Sequence, residues 1–330
     1  MSLRLRIVLL VLLAILTPAA LFGYYLIEER ESEIVRAKQS LGALAAYAAE
    51  NLGDKVSGTV QMLHGLSRAP DLNTKDRAAC SQFLADVLKR YPQYTGLLTI
   101  RPDGKLHCGS LASVRTLDLN DRAYFRQARA GTEPAFEVVF GRNTGVAVLQ
   151  VAYPARDSRG ELLYVLLASL NLAQFSARIA TASPHPRMEV LVWDNQAAVM
   201  ARYPDDAPKK LAGSGQAQSA LYRFVHAGAS RAGTELPAPD GTVKIWALGV
   251  LPTSAGGGVR LTLGIPRDVL LADADNRLRQ ALAILAGASL LAFLAALTFA
   301  EMSIRRPLAR IARAAARQRA GDFSARIGAP

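Results

Sequence analysis

The chain has 330 residues, of which 51% are hydrophobic and 20% are charged, and its mean hydropathy is +0.15. Such apolar content excludes a disordered chain, because disordered segments are poor in apolar residues. Gly (25) and Pro (16) are too few for a collagen-like or low-complexity architecture. Two cysteines exclude a disulfide-dense miniprotein but allow one bridge.

The net charge of +12 would suit a nucleic-acid-binding protein, but its distribution argues against that class. Much of the excess lies beside two apolar runs, with Arg4 and Arg6 before the first and seven arginines against two acidic residues in 301–330. Membrane proteins place Lys and Arg at these positions. The sequence therefore predicts a lipid membrane as a partner and no nucleic acid.

Residues 7–27 and 280–300 are uncharged runs, each long enough to cross a hydrocarbon core of about 30 Å as a helix. Two buried core helices are the alternative. A signal peptide cleaved near Pro18-Ala19-Ala20 is another, but the apolar run continues to Ile27, which favours an uncleaved anchor. The flanking arginines predict that both termini are cytoplasmic and that residues 28–279 lie on the other side.

The external region begins with a predicted long helix, Glu28 to about Ser67, whose apolar residues recur at three- and four-residue steps. Pro70 ends it, and a shorter helix is predicted near 75–90. Strand patterns follow at 97–100, 105–108, 135–140, 146–154 and 162–170, with a helix around 121–130.

A second, smaller strand-rich unit begins near Pro186. Its predicted strands are 188–193, 197–201, 243–250 and 259–265. Pro266 suits the first turn of a helix that would run into the second span.

Cys80 falls on the short helix and Cys108 at the end of a strand. An extracytoplasmic location permits a disulfide between them, which would close a loop of 29 residues and contribute about 3–4 kcal/mol on the chain-entropy model. Two unrelated buried thiols are the alternative.

The stretch from Asn120 to Ala128, NDRAYFRQA, resembles the D-R-x-Y-F-x-x-A signature of double Cache (dCache, PAS-like) sensor domains. Gly141–Gly145, Tyr153-Pro154, Asp157 and Gly160 fall at the family's intervals, and Ala201–Pro204 resembles its membrane-proximal module. The resemblance implies an α+β fold in which two tandem PAS-like modules sit on a long N-terminal helix, between two transmembrane helices. It also implies a two-pass receptor of the bacterial inner membrane, with a periplasmic sensor.

The domain boundaries expected on this basis are a cytoplasmic N-terminus at 1–6, a first span at 7–27, a sensor at 28–279, a second span at 280–300 and a partial HAMP module at 301–330. Within the sensor we expect a distal module at about 70–180 and a proximal module at about 185–266.

The resemblance implies that the distal module binds a small ligand through Arg122, Tyr124, Phe125, Arg126, Tyr153 and Asn171. A guanidinium can bind a carboxylate through two hydrogen bonds, and aromatic walls supply apolar area. Members that bind amino acids resemble R-x-W-Y followed by a late aspartate. Here Tyr124, Phe125 and Asn171 stand at those positions, which favours a carboxylate or other organic anion over an amine. The alternative is structural: Arg122 caps or pairs with Asp121 or Asp118, and the two aromatic residues are core.

After the second span, Ile304, Leu308, Ile311 and Ala315 are spaced like a coiled-coil seam. This segment resembles the first helix of a HAMP signalling module, with Pro307 at its proline position, and assigns Pro307, Leu308 and Ile311 to signal transmission. A basic amphipathic helix lying on anionic lipid is the alternative.

No catalytic, metal or cofactor motif is found: the four histidines are scattered, and there is no G-x-S-x-G, P-loop or GGDEF-like loop. We therefore expect a homodimeric receptor with no enzymatic activity, metal or cofactor in this chain, and a cytoplasmic signalling partner. Two alternatives stay open: the sensor part of a longer histidine kinase or diguanylate cyclase, and an extracytoplasmic enzyme. Whether the chain is a fragment or a stand-alone sensor also stays open.

Overall fold

The computed structural model describes residues 3–72, 76–111, 117–183, 185, 187–204, 220–228, 232–238, 241–251, 258–302, 306–307 and 311–312. The chain divides into two units. One comprises residues 1–35 and 271–330, and the other comprises residues 36–270.

Two helices contain the predicted apolar runs. Helix α1 is Leu3–Leu66, and the last long helix, α7, is Ala272–Ala300. Each holds an 18-residue window with few or no charges, of mean hydropathy 2.2 and 2.3, and neither window is buried. Both helices are thus long and apolar enough to cross a membrane. Pro307 and Ile311 are helical and exposed, whereas Leu308 and most of the predicted HAMP segment lie outside the described residues.

The second unit holds the sheets and the shorter helices. The helices are α2 Arg77–Arg90, α3 Ala123–Ala130, α4 Leu172–Ala182, α5 Ala220–Ala227 and α6 Arg267–Leu270. The distal strands are β1 Tyr94–Ile100, β2 Leu106–Gly109, β3 Ala135–Phe140, β4 Ala147–Arg156 and β5 Leu162–Asn171. The proximal strands are β6 Glu189–Trp193, β7 Val199–Tyr203, β8 Thr234–Pro237, β9 Val243–Val250 and β10 Arg260–Pro266.

The strands form two five-stranded sheets that repeat one topology. The distal order is β2-β1-β5-β4-β3 and the proximal order is β7-β6-β10-β9-β8, with every pair antiparallel. The predicted fold class, two tandem PAS-like α/β modules with a long N-terminal helix, is confirmed.

Each face of the distal sheet is covered by a different helix. On one face, α1 contacts the sheet through a hydrogen bond between the hydroxyls of Thr59 and Tyr94 (2.8 Å), and the Tyr164 hydroxyl donates to the Ser67 carbonyl (2.9 Å). On the other face lies α3, which buries Tyr124 and Phe125. The two faces of this sheet are therefore covered by different helices.

The proximal sheet packs against α1 at a point of close approach. A Cβ atom on Gly249 of β9 would collide with the carbonyl of Ala45, and would also meet the Ala49 side chain. The α5 face of this sheet buries a core that includes Trp193, Trp246 and Leu221. Glycine at this position allows α1 to approach the strand.

Three of the helices and strands named above were not predicted, and one residue was placed wrongly. Helices α4 and α5 and strand β8 were missed, because α5 and β8 are short and β8 contains a proline. Pro266 is the last residue of β10 and not part of a first helical turn, since the following helix begins at Arg267.

Candidate ligand-binding site

A row of polar side chains crosses the α3 face of the distal sheet. Glu137, Gln150 and Ser169 are directly paired across β3, β4 and β5, so they point to the same side. The Ser169 hydroxyl donates to Oε1 of Gln150 at 2.8 Å, and both residues are more than nine-tenths buried. Polar side chains buried on a central strand orient bound ligands in many small-molecule sites.

Helix α3 covers the rows next to this polar row. Ala135, Ala152 and Leu167 form the adjacent row and belong to the same buried cluster as Tyr124 and Phe125. The polar row therefore lies at the margin of the α3-covered core.

The start of α3 is tied to the sheet by a carboxylate. Oε2 of Glu137 accepts a hydrogen bond from the backbone N–H of Tyr124 at 2.9 Å, which satisfies one of the unpaired donors at the first helical turn. A carboxylate there is also favoured by the helix dipole. Arg122, the N-cap residue, makes no capping hydrogen bond with its own side chain.

Arg122 has no ion pair to either acidic neighbour in the part of the chain that the structure describes. Arg142, from the turn between β3 and β4, donates to the carboxylate of Asp121 (2.5 Å) and to the carbonyl of Asp118 (2.6 Å). The carboxylate of Asp118 accepts from Asn120 instead. Nε of Arg122 is buried without a hydrogen-bond partner among the described residues.

The charges around Tyr124 determine which groups at the start of α3 are ionised. Burial raises the pKa of the Tyr124 hydroxyl to about 12, while the positive charge of Arg122 opposes that rise. The hydrogen bond from Arg142 lowers the pKa of Asp121. At neutral pH the site edge thus holds a protonated phenol, an ionised Asp121 that is already paired, and the Arg122 guanidinium.

The six predicted ligand residues do not all meet in one place. Arg122, Tyr124 and Phe125 lie together at the start of α3, although both aromatic rings are buried in the core, as the structural alternative held. Arg126 is exposed on the outer side of α3. Asn171 shares the α3 face but caps helix α4, where its Oδ1 accepts from Gln174 N at 3.0 Å.

Tyr153 lies on the other face of the distal sheet. It follows Ala152, which faces α3, so its side chain points to the opposite face of the sheet. There its hydroxyl lies 2.6 Å from Nδ1 of His64 on α1. Tyr153 and Ala152, which belongs to the cluster under α3, therefore lie on opposite faces of the sheet.

Sequence reasoning missed Glu137, Gln150 and Ser169. A signal for them existed, since each is a polar residue inside an otherwise apolar strand. A buried polar side chain on such a strand needs a partner, and that need is a reason to suspect a site.

Cys80 of α2 and Cys108 of β2 are joined by a disulfide, with their Cα atoms 6.0 Å apart. The bridge links α2 to the edge strand of the distal sheet, away from Arg122.

No protein-family model matches the chain, and no curated protein matches it either. Solved structures do match. The extracellular domain of rpHK1S-Z16, assigned as a histidine kinase, has a TM-score of 0.59 and 19% identity, over 72% of this chain and 98% of that chain.

Two further structures come from a chemoreceptor and from a GGDEF-family protein. The ligand-binding domain of the Pseudomonas fluorescens chemoreceptor CtaA, in complex with L-serine, has a TM-score of 0.53 and 15% identity, over 70% of this chain and 97% of that chain. A domain of a Vibrio parahaemolyticus protein assigned to the sensory box/GGDEF family has a TM-score of 0.54 and 11% identity, over 72% of this chain and 99% of that chain. The fold is thus that of extracellular Cache-like sensor domains.

Proposed function

We propose that this chain is the sensing part of a two-pass membrane receptor, and that its distal module binds a small carboxylate-bearing molecule on the α3 face. The observation that carries the proposal is the buried Nε of Arg122, which has no hydrogen-bond partner among the described residues and lies at the start of α3, where Glu137 of the polar row accepts from Tyr124 N–H. A buried guanidinium nitrogen without a partner is costly, and a carboxylate would satisfy it.

The ligand class follows from the charges that line this edge. Asp121 is already held by Arg142, so Arg122 can take the carboxylate of a ligand. Gln150 and Ser169 can take its hydroxyl or carbonyl groups. Glu137 stands on the same face and would suit an ammonium group. An organic anion and an amino acid would therefore both bind Arg122 through a carboxylate, but only the amino acid would also bind Glu137. The L-serine complex of CtaA is compatible with the second of these.

The membrane arrangement is part of the proposal. Arg4 and Arg6 before the first span, and the arginines after the second, favour cytoplasmic termini with the sensor outside. A homodimer that passes a ligand-dependent change through Pro307, Leu308 and Ile311 to a cytoplasmic partner completes this receptor. A longer protein with a histidine kinase or diguanylate cyclase domain is the second candidate, because the neighbours include domains of proteins assigned as histidine kinases and of a protein assigned to the sensory box/GGDEF family.

Thermal unfolding of the full chain in detergent tests the site. The probes are succinate and lactate, which lack an ammonium group, L-serine and L-valine, which carry one, and glucose as an uncharged control. A ligand at 100 times its dissociation constant should stabilise the protein by about 2.7 kcal/mol. We expect Arg122→Ala to lose the shift given by any carboxylate, and Arg126→Ala, an exposed arginine on the same helix, to keep it.

Two results would overturn the assignment: no shift with any carboxylate in a broader panel, or an Arg122→Ala variant that keeps the shift of the native chain. Glu137→Gln separates the ligand classes. It should weaken the response to the amino acids while leaving the response to succinate and lactate in place.

A further inference from the structure

Four charged residues connect α1 and α7 at one level. Arg30 of α1 holds Oδ1 of Asp275 of α7 with two nitrogens, Nε at 2.8 Å and Nη2 at 2.6 Å. Arg277 of α7 reaches Glu33 of α1 at 3.6 Å. Each helix thus contributes one cation and one anion, and the two pairs cross between the helices.

These pairs lie just outside the two apolar runs. Ile27 ends the first run and residue 280 begins the second, so Arg30 and Glu33 are within two turns of the first run, and Asp275 and Arg277 are within two turns of the second. The side chains of Arg30 and Asp275 are 27% and 37% exposed. Glu33 is 28% exposed and Arg277 is 72% exposed, so the first pair is partly shielded from water, whereas the second is largely hydrated at Arg277.

The surface between the helices around these pairs is only loosely filled. A groove there is lined by Leu26, Ala274, Leu278 and Ala281 together with the charged residues. Two of the four apolar residues are alanines, whose small side chains resist sliding less than interlocked large ones would. The two ion pairs are directional polar contacts between α1 and α7 at this level.

We propose that Arg30–Asp275 and Glu33–Arg277 form an ionic lock that holds α7 in one axial register against α1. The proposal rests on the proposed receptor function. Interface helices in switching proteins shift by about 1–2 Å, which is enough to break a contact of hydrogen-bond length.

A lock that must open on ligand binding requires ion pairs that are individually weak. Partly exposed ion pairs stabilise little, so the lock biases the register without fixing it permanently. A ligand can shift an equilibrium only by its difference in affinity for the two states, so a lock that is too strong could not be opened by ligand binding.

Cysteine cross-linking of the full chain in native membranes tests the lock without any ligand. The two natural cysteines are joined to each other, so an introduced pair supplies the only free thiols. Leu26→Cys is combined in turn with Ala274→Cys, Leu278→Cys or Ala281→Cys, all of which line the groove. The rate of oxidation with copper phenanthroline is measured for each pair.

We expect one pair to react fastest in the native background. Arg30→Asp should move the maximum to a different partner position, with a change of at least threefold in relative rates, and Arg30→Asp with Asp275→Arg should restore the native profile. Glu31→Arg is the matched control, a charge reversal one residue along the same helix at an exposed position, and it should leave the profile unchanged.

Three results would overturn the lock: an unchanged profile in Arg30→Asp, an equal slowing of all three pairs, or failure of the charge swap to restore the native maximum. Equal slowing would indicate that the pairs only hold the helices together. Because no ligand is added, this experiment can succeed even if the proposed ligand site is wrong. Equally, the thermal-shift test of the ligand site does not depend on whether the lock exists.

Discussion

The hydroxyl of Tyr153 lies 2.6 Å from Nδ1 of His64, which fixes Tyr153 on the α1 face of the distal sheet and away from Arg122. The two rings also meet edge to face, with their centroids 5.7 Å apart. The contact joins the last turn of α1 to a central strand. Tyr153, which matches a sequence motif, therefore takes part in the contact between α1 and the distal sheet.

Tyr153→Phe should therefore keep ligand binding. We expect a loss of about 0.5–1.5 kcal/mol in the free energy of unfolding, the usual net value of one hydrogen bond. The thermal shift produced by a carboxylate that stabilises the native chain should be unchanged. Parallel thermal unfolding with and without that carboxylate measures both quantities. Loss of the shift with normal stability would place Tyr153 in the site after all.

Most of the fold could be predicted because its strands and long helices carry strong periodic signals. The strands at 135–140 and 162–170 lie within one residue of β3 and β5, and the two apolar runs lie within α1 and α7. Short elements such as β8 carry too few residues for a period to be visible, and they form because a neighbouring strand offers its free edge.

The candidate site was predictable only in part. Arg122 could be found because it belongs to a local motif, whereas Glu137, Gln150 and Ser169 come from three strands and are brought together by strand register. Register depends on all the pairs of a sheet, and no local pattern specifies it. For the same reason, the motif could not tell which face Tyr153 occupies.

A buried ion cluster in the proximal module should contribute strongly to stability. Oε1 of Glu189 lies 2.6 Å from Nε of Arg202, and its Oε2 lies 2.8 Å from Nζ of Lys244. The side chain of Glu189 is only 4% exposed. Removing one partner of such a cluster leaves buried charge without compensation.

Glu189→Gln should lower the free energy of unfolding by about 3–5 kcal/mol. Urea denaturation of the full chain measures this loss, and Glu133→Gln, at an exposed position, is the control that should change little. Equal stability of the two variants would mean that the cluster contributes nothing beyond its hydrogen bonds.

The contact between Lys38 of α1 and Glu235 of β8 predicts a pH dependence of stability. The hydrogen bond from Lys38, at 2.8 Å, lowers the pKa of Glu235 below the usual value of 4.5. The folded state therefore binds a proton at Glu235 less readily than the unfolded state. The stabilisation is fully present above pH 4.5 and is lost as the pH falls through the lower, folded value.

Glu235→Gln should accordingly be less stable than the native chain at pH 7, and the difference should shrink as the pH falls below 4.5. Thermal unfolding at pH 7, 5, 4 and 3 measures this trend. Asp86→Asn is a useful comparison, since Asp86 is an acidic residue with a lowered pKa whose ion pair stays within one helix. A difference for Glu235→Gln that stays constant across the series would contradict the linkage.

The close approach of α1 to β9 predicts that Gly249 cannot be replaced without a loss of stability. A Cβ atom there would overlap the carbonyl of Ala45, which is backbone and cannot swing away. Gly249→Ala should therefore cost about 1–3 kcal/mol through overpacking, since either the helix or the strand must shift.

Gly96→Ala is the matched control for Gly249→Ala, because Gly96 also lies in a strand and its added Cβ would meet Leu111 at 3.6 Å, an ordinary contact. Urea denaturation of both variants measures the difference. Similar stabilities would show that α1 does not pack as closely on the proximal sheet as the structure has it. A selective loss in Gly249→Ala would establish that the absence of a side chain at this position allows the long helix to contact the second module.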